Sequence, residues 1–123
     1  MNYQEKRAHQ RFTTDLVFIY DIVSCLEDTP ELHPMGTAAI RDISLGGARI
    51  ATYQRLPVGV ELSVTLVPFS DHTLKIQTVG CVRWSQQLRE DSFDSGIQFV
   101  SFTGNSQEIL RQYIATLAGG QAV

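Results

Sequence analysis

Short apolar stretches separated by turn-forming residues dominate most of the chain. The stretches rich in β-branched and aromatic residues are 16–25, 37–43, 47–52, 60–66, 74–84 and 95–102. Their length and composition predict β-strands. Apolar and polar residues alternate within 60–66, which is typical of a strand with one solvent-facing side. The stretch 16–25 is apolar at most positions and therefore predicts a strand buried on both faces.

The longest of these stretches, 74–84, predicts a strand with one polar and one apolar face. Strict alternation places Lys75, Gln77 and Arg83 on one face, and on the other Leu74, Ile76, Thr78, Gly80, Val82 and Trp84. A glycine inside such a strand is typical of a bend or a β-bulge, as a small barrel needs at its corners. We therefore expect Gly80 to interrupt the regular pairing.

Near the C-terminus the apolar period changes from that of a strand to that of a helix. Asn105, followed three residues later by Glu108, resembles a capping box. The apolar residues that follow share one helix face, and they are Ile109, Leu110, Tyr113, Ile114 and Leu117. Gly119-Gly120 predicts the helix end. About six short strands and one helix predict an all-β domain with one helix, namely a small six-stranded antiparallel β-barrel with a C-terminal α-helix.

The chain length and the two ends of the sequence limit the possible domain organisation. With 123 residues the chain is long enough for one domain around one core. Residues 1–13 follow neither period, so we predict a flexible arm there and the barrel with its helix over 14–120. The polar start lacks the apolar core of a secretory signal, and no apolar run is long enough to cross a bilayer. A cytoplasmic location is therefore expected.

The distribution of charge narrows the class of ligand. A formal net charge of −3 argues against a general binder of nucleic-acid polymers, whose binding surface is usually basic. The arm differs from the rest of the chain, because Lys6, Arg7 and Arg11 outnumber Glu5 and leave a local charge of +2. A positive segment on an acidic protein favours a small anionic ligand.

Residues suited to catalysis or metal binding do not occur at useful spacings. Cys25 and Cys81 have no second cysteine nearby, and His9, His33 and His72 have no partners at the spacing of a triad or a metal site. We therefore predict no enzyme activity, no metal and no cofactor.

Two short motifs carry the chemistry of the predicted site. Arg7 and Arg11, separated by three residues, can present two planar guanidinium groups to phosphates or to guanine O6 and N7. Asp42, Ser44 and Gly47 add an acceptor for guanine N1 and N2 donors, a hydroxyl group and a position that can be approached closely. Each motif has a simpler interpretation: a solvated arm for the arginines, and a turn between strands for Asp-x-Ser-x-x-Gly.

Together, and in this order, the two motifs resemble the signature of the PilZ domain family, and the resemblance covers nearly the whole chain. It implies a six-stranded barrel with a C-terminal helix that binds cyclic di-GMP, with Arg7 and Arg11 in a ligand-binding arm that wraps over the nucleotide. It also implies that Lys6 influences whether one or two nucleotides bind, and we favour two. The family often has an aromatic residue at the position of Trp84, where it can flank a guanine.

The resulting hypothesis is a receptor that binds cyclic di-GMP without chemical turnover and relays the signal to a protein partner. The resemblance implies a partner in motility, pilus or exopolysaccharide control. Neither binding of a nucleic-acid polymer nor insertion into a membrane is expected. One alternative is a PilZ-like interaction module that does not bind nucleotide. Another is a small barrel that binds single-stranded nucleic acid, which the acidic net charge disfavours.

Overall fold

The computed structural model describes residues 14–24, 32–71 and 73–121. They form six strands and one helix, namely β1 (Leu16–Ser24), β2 (Met35–Ser44), β3 (Gly47–Thr52), β4 (Glu61–Pro68), β5 (Ile76–Arg89), β6 (Ser92–Phe102) and α1 (Ser106–Gln121). The strands close a barrel in the order β1-β2-β3-β6-β5-β4, and each neighbouring pair is antiparallel. The predicted six-stranded antiparallel barrel with a C-terminal helix is confirmed.

The barrel interior is filled by the inward side chains of all six strands. Among the fully buried ones are Phe18, Ile43, Ile50, Leu62, Leu66, Ile76 and Val82. In β1 only alternate residues point inward, because a barrel strand has one interior face. Ile19 is 39% exposed and Val23 is 61% exposed, so the prediction that this strand is buried on both faces is wrong.

A β-bulge in β2 and another in β5 change which residues near the predicted site face outward. In β2 the register skips Arg41 between Ile40 and Asp42, and in β5 it skips Arg83 between Val82 and Trp84. Each bulge places two consecutive side chains on the outer surface. The prediction that Trp84 shares the inner face of Val82 is therefore wrong. A further register shift between Val79 and Gly80 confirms the expected interruption at the glycine.

Helix α1 covers one end of the barrel. Leu110 is fully buried, and Ile109, Tyr113 and Ile114 pack against the core as the helical period predicts. The buried Ser106 hydroxyl at the helix start accepts a hydrogen bond of 2.9 Å from the backbone N–H of Gln77 in β5. The helix runs through both glycines to Gln121, so the predicted end is wrong: glycine raises the cost of a helix by only about 1 kcal/mol and does not terminate it alone.

The same end of the barrel carries the start of β1 and the turn between β2 and β3. Leu16 pairs with Pro68 at the end of β4, and Thr78 near the start of β5 pairs with Phe102. Because β1 and β2 are antiparallel, the turn after Ser44 lies at this end as well. An open groove of about 470 Å³ runs between this turn and the first turn of α1. The point where residues 1–13 join the barrel therefore lies at the end that holds the predicted motif.

Candidate functional site

The predicted motif Asp42-x-Ser44-x-x-Gly47 forms the tight connection between β2 and β3. Ser44 is 3% exposed, and its hydroxyl oxygen accepts a 3.2 Å hydrogen bond from the backbone N–H of Gly46. The same hydroxyl lies 3.4 Å from the carbonyl oxygen of Gly47, to which it donates. The serine therefore shapes the turn, and its role in binding a ligand stays a prediction.

Gly47 is required by the packing of the barrel. A Cβ atom at this position would lie 2.1 Å from the carbonyl oxygen of Ile97 in β6, far inside contact distance. The neighbouring atom belongs to a paired strand, so it cannot move without disturbing the sheet. This reason for a glycine is independent of any ligand, and the ligand-binding role of Gly47 stays a prediction.

Asp42 lies on the outer surface of β2 and forms an ion pair with β3. Its Oδ2 atom accepts a hydrogen bond of 3.1 Å from Nε of Arg49. The carboxylate side chain is 15% exposed and the arginine side chain 43% exposed, so the pair is partly shielded from water. A second ion pair of similar geometry joins Nε of Arg41 to Oδ1 of Asp94 at 3.3 Å. Both pairs depend on the bulge in β2, because it turns Arg41 and Asp42 outward together.

The register of four adjacent strands aligns Asp42 with Trp84. Asp42 pairs with Arg49, Arg49 with Gly96, and Gly96 with Trp84. Side chains of directly paired residues share one face of a sheet, so this row lies on the outside of the barrel. We call it the outer row, and it consists of Asp42, Arg49, Gly96 and Trp84.

The indole of Trp84 lies over Gly96. A Cβ atom on this glycine would be 2.0 Å from Nε1 of the indole, so the ring occupies the space that a side chain would fill. In the outer row, Gly96 of β6 lies between Trp84 of β5 and Arg49 of β3. The indole therefore leans over β6. The row thus brings together a carboxylate, a guanidinium group and an aromatic ring.

The sequence reasoning missed Arg49, the ion-pair partner of Asp42, as a site residue, because the sequence places it in an unremarkable strand position. Arg41 and Asp94 form the second ion pair of this face but lie outside the outer row. One signal was available in β2: Ile40 and Ile43 are three residues apart, and both can face the core only if a bulge intervenes. Arg83, the bulged residue of β5, lies nearby and donates from Nε to Oε1 of Gln98 at 2.6 Å.

The predicted residues Lys6, Arg7 and Arg11 lie outside the described residues, as does the whole predicted arm 1–13. The structure does show how the chain is held where that segment joins the barrel. The hydroxyl of Tyr113 in α1 donates to the carboxylate of Asp15 and lies 2.7 Å from the hydroxyl of Thr14.

These contacts shift both ionisable groups at the junction. The hydrogen bond from Tyr113 lowers the pKa of Asp15, helped by a second bond from Ser70. Partial burial raises the pKa of Tyr113, and the carboxylate of Asp15 raises it further. The helix, the end of β4 and the start of β1 are thereby joined at one point.

Comparison with known proteins gives the class of the domain. The family described as PilZ domain matches residues 5–116, and the chain belongs to this family. The matched range includes both predicted motifs and all of the outer row.

Solved structures with the same fold include two described proteins. The Bacillus subtilis inhibitor of motility, MotI/DgrA, is 17% identical with a TM-score of 0.69, over 95% of this chain and 51% of that one. The MrkH–c-di-GMP complex from K. pneumonia is 16% identical with a TM-score of 0.72, over 95% and 54%. MrkH in its apo state is 17% identical with a TM-score of 0.67, over 95% of this chain and 52% of that one. The chain thus spans about half the length of these proteins, and at such identities the likeness concerns the fold.

A search of curated protein sequences gave no significant match. Across 14–24, 32–71 and 73–121, no helix combines the length and the apolar character needed to cross a membrane. Over the same ranges, His, Cys, Asp and Glu side chains do not form a cluster that could hold a metal ion.

Proposed function

We propose that this domain is a receptor for cyclic di-GMP that binds the nucleotide without chemical turnover. The observation that carries the proposal is the outer row, in which Asp42, Arg49 and Trp84 lie in one line on the outer surface of a PilZ barrel. A carboxylate can accept from guanine N1 and N2, arginine can donate to O6, N7 or phosphate, and an indole can stack on a base. The structural likeness to MrkH, which was solved as a complex with c-di-GMP, agrees with this ligand.

In this proposal the ligand is held between the arm and the outer surface of the barrel. Arg7 and Arg11 contact the phosphates or the Hoogsteen edges of the guanines, and Asp42 contacts a Watson–Crick edge. Only two residues of sequence separate Arg11 from Thr14, and Thr14 lies at the barrel end that also carries the turn. The remaining predicted contacts are Lys6, Ser44, Gly47 and Trp84.

The proposed output is a change of surface that another protein recognises. Binding would fix residues 1–13 against the barrel, and the junction at Thr14 and Asp15 would connect this change to α1 through Tyr113. The ordering entropy of the arm would be subtracted from the gross binding energy. We place this receptor in the cytoplasm, with a protein partner in motility, pilus or exopolysaccharide control.

Isothermal titration of the chain with cyclic di-GMP tests the proposal. We expect Arg7→Ala and Arg11→Ala each to weaken binding at least about tenfold, since a bidentate contact is worth roughly 1–3 kcal/mol. Neither change should shift the thermal unfolding midpoint, because both residues precede the barrel. The matched control is Arg55→Ala, an exposed arginine away from the outer row, which should bind as the wild type does. Absence of binding by the folded wild-type protein would contradict the proposal.

The same titration measures stoichiometry, on which Lys6 bears. Two cyclic dinucleotides carry about four negative charges, and Lys6 adds a third cation to Arg7 and Arg11. We expect two nucleotides per chain, falling towards one in Lys6→Leu with a weaker dependence on salt. A ratio of one that is the same in both proteins would show that Lys6 is only a solvated charge.

The second candidate is an interaction module that adopts the PilZ fold without binding nucleotide. It is favoured by one observation: Ser44 and Gly47 already have roles within the turn and the barrel. Under this alternative the motif would be explained by folding alone. The folded wild-type protein would then give no heat of binding with cyclic di-GMP.

A further inference from the structure

We propose that Arg49 is a specificity-determining residue that reads the base together with Asp42. The inference rests on the proposed function and adds a residue to the same site. Its Nε atom is hydrogen-bonded to Oδ2 of Asp42 at 3.1 Å, so the two charged groups lie edge to edge on the outer row. The pair presents a carboxylate, which accepts hydrogen bonds, directly beside a guanidinium group, which donates them.

This order of acceptors and donors is complementary to the Watson–Crick edge of guanine. That edge carries two donors, N1–H and the N2 amine, beside one acceptor, O6. The Asp42 carboxylate matches the two donors, and a terminal N–H of Arg49 matches O6. The ion pair therefore resembles the edge of cytosine, the natural partner of guanine, which offers two acceptors and one donor.

Adenine is excluded by the same arrangement. Its N1 is an acceptor and would face the carboxylate of Asp42, while its N6 amine is a donor and would face the guanidinium group of Arg49. Both contacts are repulsive, and discrimination of this kind is strong because the polar groups of the site are then left unmatched. Hypoxanthine keeps O6 and N1–H but lacks the N2 amine, so it should lose contacts to Asp42 only.

The surroundings of Arg49 leave its donors accessible to a base. The side chain is 43% exposed, and the bond to Asp42 is made by Nε, while a guanidinium group has five N–H donors. On the other side of Arg49 the outer row continues with Gly96, which has no side chain of its own and is covered by the indole of Trp84. A base that reaches Arg49 therefore lies beside an aromatic surface.

Arg41 provides a matched control for Arg49. Its side chain is 45% exposed, and its Nε forms an ion pair of 3.3 Å with a carboxylate on the same side of the barrel. The partner is Asp94 instead of Asp42, so the change Arg41→Gln removes the same charge and the same type of ion pair without touching the proposed reading group. The test therefore compares Arg49→Gln, Arg49→Lys and Arg41→Gln with the wild-type chain.

The affinity of each protein is measured for cyclic di-GMP, cyclic di-IMP and cyclic di-AMP by competition titration. In Arg49→Gln we expect the affinity for cyclic di-GMP and cyclic di-IMP to fall about tenfold each, since both carry O6, so that their ratio is unchanged. Affinity for cyclic di-AMP should not fall, so the preference over adenine shrinks about tenfold. Arg41→Gln should change none of these values more than about twofold. Arg49→Lys keeps a charged donor, whereas the glutamine amide is a neutral one on a shorter side chain, so Arg49→Lys should lie between the wild type and Arg49→Gln.

Other results of these titrations would contradict the proposed role of Arg49 in different ways. If the preference of Arg49→Gln for cyclic di-GMP over cyclic di-AMP equals that of the wild type, Arg49 does not read the base. If the ratio between cyclic di-GMP and cyclic di-IMP falls instead, Arg49 acts only by positioning Asp42, and the direct contact is refuted. Should Arg49→Gln fail to fold by circular dichroism, the same ratios measured on Arg49→Lys decide. Failure of the wild-type chain to bind cyclic di-GMP would refute the proposed function itself. Failure of the proposed role of Arg49 alone would leave that binding intact.

Discussion

The substitution Gly96→Ala tests the geometry of the outer row most directly. The added Cβ would lie 2.0 Å from Nε1 of Trp84, whereas non-bonded carbon and nitrogen atoms require about 3.5 Å. The indole must therefore move by about 1.5 Å, or the backbone of β6 must give way. Inserting a methyl group into a packed site costs typically about 1–3 kcal/mol. Trp84 is only partly buried, so its ring can swing outward, and we expect a loss in unfolding free energy of about 1 kcal/mol, at the lower end of that range.

The assay uses the fact that Trp84 is the only tryptophan of the chain. Its fluorescence reports on this one position both during urea unfolding and during titration with nucleotide. In Gly96→Ala the emission of the folded protein should shift to longer wavelength, because the ring is displaced into water. If Trp84 stacks on a base, binding should also weaken by up to about tenfold, since such stacking is worth roughly 1–3 kcal/mol.

Gly119→Ala is the control, because a Cβ at this position of α1 meets nothing within 4 Å. The change replaces glycine by alanine within a helix and should stabilise the chain by about 0.5–1 kcal/mol without altering the emission of Trp84. The reasoning would be refuted if Gly96→Ala matched the wild type in unfolding free energy and emission. The indole could not then occupy the space above Gly96.

Two further changes test the structural roles of other residues. Gly47→Ala should lower the unfolding free energy by about 3 kcal/mol in a urea titration, because its Cβ would meet the carbonyl oxygen of Ile97, and a midpoint equal to that of the wild type would exclude the contact. Tyr113→Phe removes the bond to Asp15 and should cost about 1 kcal/mol at neutral pH, a value reduced by the exposure of the carboxylate. The lowered pKa of Asp15 means that the part of this stability due to the carboxylate is present above about pH 4 and is lost as the pH falls through the lowered pKa. The difference in unfolding free energy between the two proteins should therefore shrink in acid to what the bond to Thr14 contributes, and a constant difference from neutral pH to about pH 2 would contradict the assignment.

The strands of the barrel could be predicted from the sequence wherever one face is apolar. The bounds of β3 agree at both ends, and β1, β2 and β4 differ by only a few residues, because alternation marks their inner faces. The outer parts of β5 and β6 were missed: β5 continues to Arg89 and β6 begins at Ser92. Residues 86–91 are all exposed, so this part of the hairpin has no apolar face that a period could mark.

The partners of the site residues could not be predicted, because they follow from register and not from spacing. Asp42 and Arg49 are seven residues apart, and Arg41 and Asp94 are 53 apart. A shift of one residue in the pairing of β2 or β6 with β3 would turn these side chains to the other face of the sheet. The motif therefore identifies where the site lies, whereas the ion pair that gives it a donor beside an acceptor emerges only from the paired strands.

The bulges explain how the same strands can place apolar side chains in the core and the residues of the outer row on the surface. A regular strand offers the outer surface every second residue, so consecutive Arg41 and Asp42 could not both face outward without turning Ile40 or Ile43 away from the core. The extra residue removes this conflict and increases the local twist. In β5 the same device moves Trp84 outward while Val82 stays buried. A bulge therefore lies next to each end of the outer row, at Arg41 beside Asp42 and at Arg83 beside Trp84. At these two positions a prediction from strict alternation must fail.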